Sequence, residues 1–338
     1  MQVRGSRTTS EVVVQNRGSQ TKAQLPYYLA FSFLPRLFFA TSLFLSYLAV
    51  NVAEAGPGTV AVPFLRVGAG ARPSAMGGAF AAVADDANAS VWNPAGLSQL
   101  SQAELGFMRL MYYEGSAEDV LVASIPMGSK FGLGVHVISM NYGKFDYMVE
   151  DASGSFDATA STVAGTYKAS ALAAALGAGF ELFPGVSIGA NGKFITQSLE
   201  KTSGTGMMFD AGLLVALGPL MIGGGVQNLG SFGSDKSPMN LRGGAAFKMG
   251  QELVVAGQVD MPSDTNKMKM SFGGEFVLAQ LIALRGGYRM GGDVTGMTFG
   301  GGIQSKLGKN TYALDYAMEM GDPFAATHRF SIRAVFGQ

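Results

Sequence analysis

The sequence offers few side chains for catalysis. It contains two histidines, His136 and His328, and no cysteine. A thiol nucleophile, a disulfide framework and a Cys-ligated zinc or iron–sulfur centre are therefore excluded. The two histidines lie too far apart in sequence to suggest a metal cluster. The neighbouring carboxylates Asp85-Asp86 point in different directions and have no third ligand close by, so they read as a helix end. Glycine clusters such as Gly223-Gly224-Gly225 are not phosphate loops, because no helix opening on Lys-Ser/Thr follows them. No enzyme activity, metal or cofactor is expected. The balance of 24 Lys+Arg against 24 Asp+Glu also lacks the basic excess of a nucleic-acid binder.

What the other charged residues do depends on the elements that carry them. Only 14% of residues are charged, 48 of 338 are glycine and the mean hydropathy is +0.23. Glycine usage is about twice the common ~7%. This composition suits neither a soluble globular domain nor a disordered chain, which needs low hydrophobicity. It suits a membrane protein. Yet 211–226, the longest charge-free candidate for a helical span after the leader, is interrupted by Gly218-Pro219 and reads as two strands joined by a tight turn. The Ala-rich stretch 169–180 reads as strand because its neighbours do.

Period-two alternation is the dominant pattern. In 311–320, Tyr312, Leu314, Tyr316, Met318 and Met320 oppose Thr311, Ala313, Asp315, Ala317 and Glu319. The stretches 186–198, 267–278, 281–290 and 328–336 alternate in the same way. About fourteen such segments follow residue 100, at 103–113, 119–127, 130–142, 167–182, 185–199, 206–217, 219–228, 239–248, 252–261, 267–278, 281–290, 296–306, 310–320 and 327–337. Many exceed the globular strand mode of about 5–6 residues and match the ~9–11 of a membrane-crossing strand. Short turns alternate with longer polar loops, the longest at 143–166, as at the two ends of an outer-membrane barrel. The expected fold is all-β: a transmembrane antiparallel β-barrel of about 14 strands, apolar outside and polar inside, with both termini on the short-turn side.

This pattern assigns the charged residues to the lumen: Lys193, Asp210, Arg242, Glu275, Arg285, Arg289, Asp315, Glu319, Arg329 and Arg333, together with Lys248, Asp260, Lys267, Lys269 and Lys306. Mixed signs in a narrow interior favour pairing that locks the barrel. The alternative is a selectivity path for charged solutes. Tyr112, Tyr113, Tyr288 and Tyr312 read as an interfacial girdle. The histidines read as barrel or rim residues.

The N-terminal third is organised differently. Residues 37–50 are apolar, Arg36 precedes them, and Ala53 and Ala55 supply small residues before Gly56. Together these read as a signal peptide over 1–55; the alternative is an N-terminal anchor. Residues 56–100 would form a periplasmic or plug segment, with a helix over Ser74–Ala84, and 101–338 the barrel. The run Gly70-Ala71-Arg72, Met76-Gly77-Gly78-Ala79, Asp85-Asp86 and Trp92-Asn93-Pro94-Ala95-Gly96-Leu97 resembles the opening of PorV/PorQ-type proteins of the FadL superfamily. That resemblance implies a fourteen-stranded barrel in the outer membrane of a Gram-negative-type bacterium, surrounded by outer-membrane lipid. It further implies a plug carrying Asn93, Pro94, Ala95 and Gly96, unless these only pack the periplasmic end. The function implied is docking or transport linked to protein export, with secretion-system components or secreted proteins as partners. The alternative is FadL-like passive uptake of hydrophobic small molecules, and a third reading is a structural barrel without cargo.

Overall fold

The computed structural model describes residues 60–112, 115–149, 162–265, 267–292, 295–321 and 324–337. The expected signal peptide, the proposed cleavage site and Tyr113 lie outside these residues. One antiparallel sheet, closed on itself, forms a wall of fourteen strands: β1 (Ala103–Met111), β2 (Ala117–Pro126), β3 (Phe131–Val149), β4 (Thr162–Phe183), β5 (Val186–Leu199), β6 (Thr202–Leu217), β7 (Leu220–Phe232), β8 (Asn240–Met249), β9 (Leu253–Pro262), β10 (Lys269–Leu278), β11 (Ile282–Met290), β12 (Gly296–Leu307), β13 (Asn310–Gly321) and β14 (Phe324–Phe336). Each strand pairs with the next, and β1 pairs with β14 to close the ring. A two-residue strand, Asp235–Lys236, folds back on the end of β7. All fourteen expected strands are present, including β4 through the Ala-rich stretch. No helix among the described residues is long and apolar enough to cross a membrane.

Alternation sorts the side chains. On β1, Glu104, Met108 and Leu110 turn inward and are buried, whereas Leu105, Phe107 and Met111 turn outward and are exposed. The outer face is an apolar belt in which Leu176, Ile303 and Leu314 are more than 60% exposed. Arg109 and Asp119 interrupt it near the long-loop ends and pair with each other at 3.4 Å.

The wall departs from expectation where loops were assigned. Pairing of β3 with β4 continues to Val149 and Thr162, past a register shift between Asn141 and Lys144. Gly143, at φ +92°, breaks the alternation there, so the segment reads from sequence as a long loop with Phe145–Val149 as a candidate extra strand, and that extra strand is present. The connection over 200–205 shrinks to Glu200-Lys201, because β5 and β6 pair out to Leu199 and Thr202. β7 likewise runs on to Phe232.

Residues 60–100 occupy the interior. The helix expected over Ser74–Ala84 is not formed: a short helix, Ala71–Ala75, overlaps it only at Ser74 and Ala75, because Gly77 and Gly78 take positive φ (+67° and +80°) and turn the chain. Phe64, Met76, Phe80, Val83 and Trp92 from this segment form an apolar core with Met108, Val120, Ile138, Ile195, Met208 and Val254 from the wall. The direction of travel corrects one expectation. Val60 bridges to Lys236, and Arg66 bonds Asp264 and the carbonyls of Pro238 and Met239, all at the long-loop end. The chain then crosses the lumen to Pro94–Gln99, which packs on β3–β6 near the short turns. It enters β1 from that side. Residue 60 therefore lies at the mouth opposite the one assigned to the N-terminal end, because the chain must traverse the lumen before the first strand begins.

Candidate functional site

The Asn-Pro-Ala-Gly run shows how the segment is seated. Asn93 is buried in extended backbone; its Nδ2 donates to the carbonyls of Ala81 (2.8 Å) and Leu213 (3.0 Å), while its Oδ1 accepts from the Ala95 amide. Pro94 opens a 3-10 turn whose backbone lies directly on the wall. A Cβ at Gly179 would stand 2.5 Å from the Pro94 carbonyl oxygen, and one at Gly189 would strike Pro94 and Ala95. Gly96 in turn faces the carbonyl of Ala84. Asn93 thus ties two parts of the segment to β6. Removing a buried amide leaves its partners unsatisfied at about 1–3 kcal/mol each. Asn93→Ala is expected to lower stability by roughly 2–4 kcal/mol on that basis, read as a lower temperature for the unfolding band shift in detergent gels. A midpoint unchanged from the parent protein would contradict this seating.

The lumen charges assemble into pairs. Arg72, from the segment, is the hub: it makes a two-pronged bond to Glu275 (2.8 and 2.7 Å) and reaches Asp85 (2.6 Å) and Asp86 (2.9 Å). Glu275 also accepts from Arg285, which continues to Asp315. Lys248 holds the second oxygen of Asp85 at 2.8 Å. Burial alone would raise the Asp85 pKa, but Arg72 and Lys248 outweigh it and hold this carboxyl well below the usual carboxylate range. Around the ring, Lys193 pairs with Asp210 (2.8 Å), Arg242 with Asp260 (2.7 Å), and Arg333 with Glu104 (3.7 Å). Glu319 receives both Arg289 and Arg329.

The sequence-assigned residues therefore lie in the lumen as five groups: Glu275, Arg285 and Asp315; Arg289, Glu319 and Arg329; Lys193 with Asp210; Arg242 with Asp260; and Arg333 with Glu104. Lys306 is exposed beside a short turn instead. Asp85 and Asp86 close no helix; they are the acidic side of the Arg72 hub. Arg72 was named only within the N-terminal run and given no role from sequence, and Glu104 and Glu118 were not singled out at all. Arg72 sits in a stretch without periodicity, while Glu104 and Glu118 sit on inward positions of β1 and β2 and could have been found from their alternation. His136 is buried in the interior, whereas His328 bonds the Tyr316 hydroxyl through Nδ1 at 2.8 Å. Among the described residues no group of three or more His, Asp and Glu is arranged to hold a metal.

Above the segment, towards the long loops, lies a cavity of about 340 Å³. Its floor is Val91, Trp92, Gly77 and Gly78; its sides carry Tyr112, Arg242, Asp260, Lys269, Arg289, Glu319 and Arg329. The Arg242 guanidinium covers the Trp92 ring at 4.7 Å, a cation–π contact. Tyr112 thus contributes to this vestibule.

An uncharacterised protein family, UPF0164, matches residues 49–210, just under half of the chain. No curated protein matches the sequence. The Ralstonia pickettii toluene transporter TbuX is 13% identical, with a TM-score of 0.59 over 80% of this chain and 98% of that one. The Pseudomonas putida toluene transporter TodX is 15% identical, with a TM-score of 0.59 over 79% and 96%. A Pseudomonas aeruginosa FadL homologue is 10% identical, with a TM-score of 0.53 over 78% and 96%. At these identities the likeness is one of fold. The chain is a closed, all-β barrel of fourteen antiparallel strands with a short helical segment inside, folded like the two toluene transporters and the FadL homologue just named.

Proposed function

We propose that the protein sits in an outer membrane and serves passive uptake of small hydrophobic molecules. In this reading residues 1–55 are the removed leader, 56–100 stay in the lumen as a plug, and 101–338 span the membrane. The carrying observation is the vestibule: a ligand-sized cavity on the long-loop side, closed below by a segment bonded to the wall around the ring. The apolar outer belt fits lipid, and the toluene transporters named above share the architecture. Docking of secreted proteins, the function implied by the PorV/PorQ resemblance, rests on the N-terminal motif alone.

Both readings are tested in one deletion strain. Initial uptake of labelled toluene is expected to fall severalfold, with secreted proteins unchanged and uptake restored by the gene supplied in trans. Normal uptake combined with secreted proteins trapped in the periplasm would replace uptake with export.

A further inference from the structure

The vestibule differs chemically from a hydrocarbon pocket. Six basic side chains line it, Arg66, Lys193, Arg242, Lys269, Arg289 and Arg329, against two acidic ones, Asp260 and Glu319. Asp264 and Asp210 stand behind Arg66 and Lys193, and Arg289 and Arg329 share Glu319. Glu118 is a further buried carboxyl within range of the Arg329 charge, with no hydrogen bond between them. Six cations therefore face five carboxylates, and among the described residues Lys269 is the cation without a partner. Arg329 adds a second observation. Its side chain is 2% exposed, and its Nε has no acceptor, nor has the neighbouring Thr327 hydroxyl a partner. A buried charged donor without an acceptor is costly, and a guanidinium is suited to a planar carboxylate. Among these charges lie Val67 and Trp92; an indole favours an aromatic body. The volume is at the low end for ligand pockets, roughly 300–1,000 Å³, too small for a long alkyl chain.

We propose that the vestibule binds compact aromatic acids: one or two rings bearing a single carboxylate, with the acid group on Lys269 and Arg329 and the rings beside the stacked Arg242–Trp92 pair. This deepens the uptake reading and rests on it for its physiological meaning.

Trp92 is the only tryptophan of the chain, so its emission reports this site alone. The folded full-length protein in detergent is titrated with benzoate, with its neutral counterpart benzyl alcohol, and with inorganic phosphate. Benzoate is expected to saturate the signal at a concentration at least tenfold below benzyl alcohol. Lys269→Gln is expected to weaken benzoate about fivefold or more and leave benzyl alcohol unchanged. Equal affinity for acid and alcohol overturns the proposal, as does a benzoate affinity indifferent to Lys269→Gln. Phosphate binding as tightly as benzoate overturns the aromatic part. Flux into liposomes holding the same protein separates the two readings. Flux of benzyl alcohol without benzoate preference in binding leaves uptake standing and removes the acid site. Selective benzoate binding without flux of any solute leaves the site standing and removes uptake.

Discussion

Arg72→Met is expected to be the most damaging single substitution in the lumen, lowering stability by about 3–5 kcal/mol, the usual cost of stranding one side of a buried ion pair. The size follows from the partners: three carboxylates, of Asp85, Asp86 and Glu275, converge on a guanidinium whose side chain is 11% exposed. Arg285 and Lys248 remain for Glu275 and Asp85, but Asp86 loses its ion-pair partner. Arg72→Lys should recover only part of the loss, because an ammonium cannot bind Glu275 with two parallel bonds. The pH dependence has a defined sign. The Asp85 carboxyl is held below its unfolded value, so its contribution is present above about pH 4 and disappears as pH falls towards the depressed folded value. The gap between parent protein and Arg72→Met should therefore be full at pH 7 and narrow as pH falls below about 4. Thermal band-shift or dichroism melts at both pH values measure it. A melting point for Arg72→Met within a degree or two of the parent at neutral pH would remove Arg72 from the centre of the interior.

The second large effect separates neighbouring glycines. A Cβ on Gly273 would lie under 3.0 Å from the backbone of Met76, including its carbonyl oxygen, whereas one on Gly274 meets its nearest atom, the Val254 oxygen, at 3.5 Å. Gly273 faces the segment and Gly274 faces outward. Gly273→Ala should destabilise by roughly 2–3 kcal/mol, at the upper end for overpacking because the obstacle is backbone. Gly274→Ala should be neutral or stabilise by up to about 1 kcal/mol through lost unfolded-state freedom. Equal melting temperatures for the two variants would refute the direct seating of the segment on the wall.

The same contrast explains what the sequence disclosed. Strand positions were legible because a side chain alternates faces whatever its partner, so Lys193, Arg285 and Glu319 could be assigned inward from pattern alone. The excess of glycine was legible as strand glycine that relieves curvature or leaves room for lumen contents, but which positions make that room was not. Gly132, Gly179, Gly189, Gly273 and Gly287 are inward positions where segment backbone lies against the wall, a relation between residues far apart in the chain. The Arg72 hub was hidden for a related reason. Between Gly70 and Leu100 the path follows from bonds to the wall, such as Gln258 to the amides of Phe80 and Ala81 and Thr298 to Gly77 and Ala75. No local periodicity encodes those bonds. The β3–β4 extension was legible only as a candidate extra strand over Phe145–Val149 within the loop, because the irregularity at Gly143 interrupts the alternation that had located every other strand.

The route of the segment from the long-loop mouth to β1 constrains the order of assembly. The apolar core lies between segment and wall, so an unoccupied ring would enclose bare Met108, Ile195 and Met208 side chains and a row of naked glycine backbone. Passing forty residues through a finished ring, past paired arginines and carboxylates, would break those pairs in turn. The seam between β1 and β14 should therefore close last, around residues already in place, making the first part of the chain the form on which the cylinder is wrapped. A chain lacking 60–100 is accordingly expected to stall before the compact, heat-modifiable species, and supplying that stretch as a separate peptide should rescue it during refolding but not afterwards.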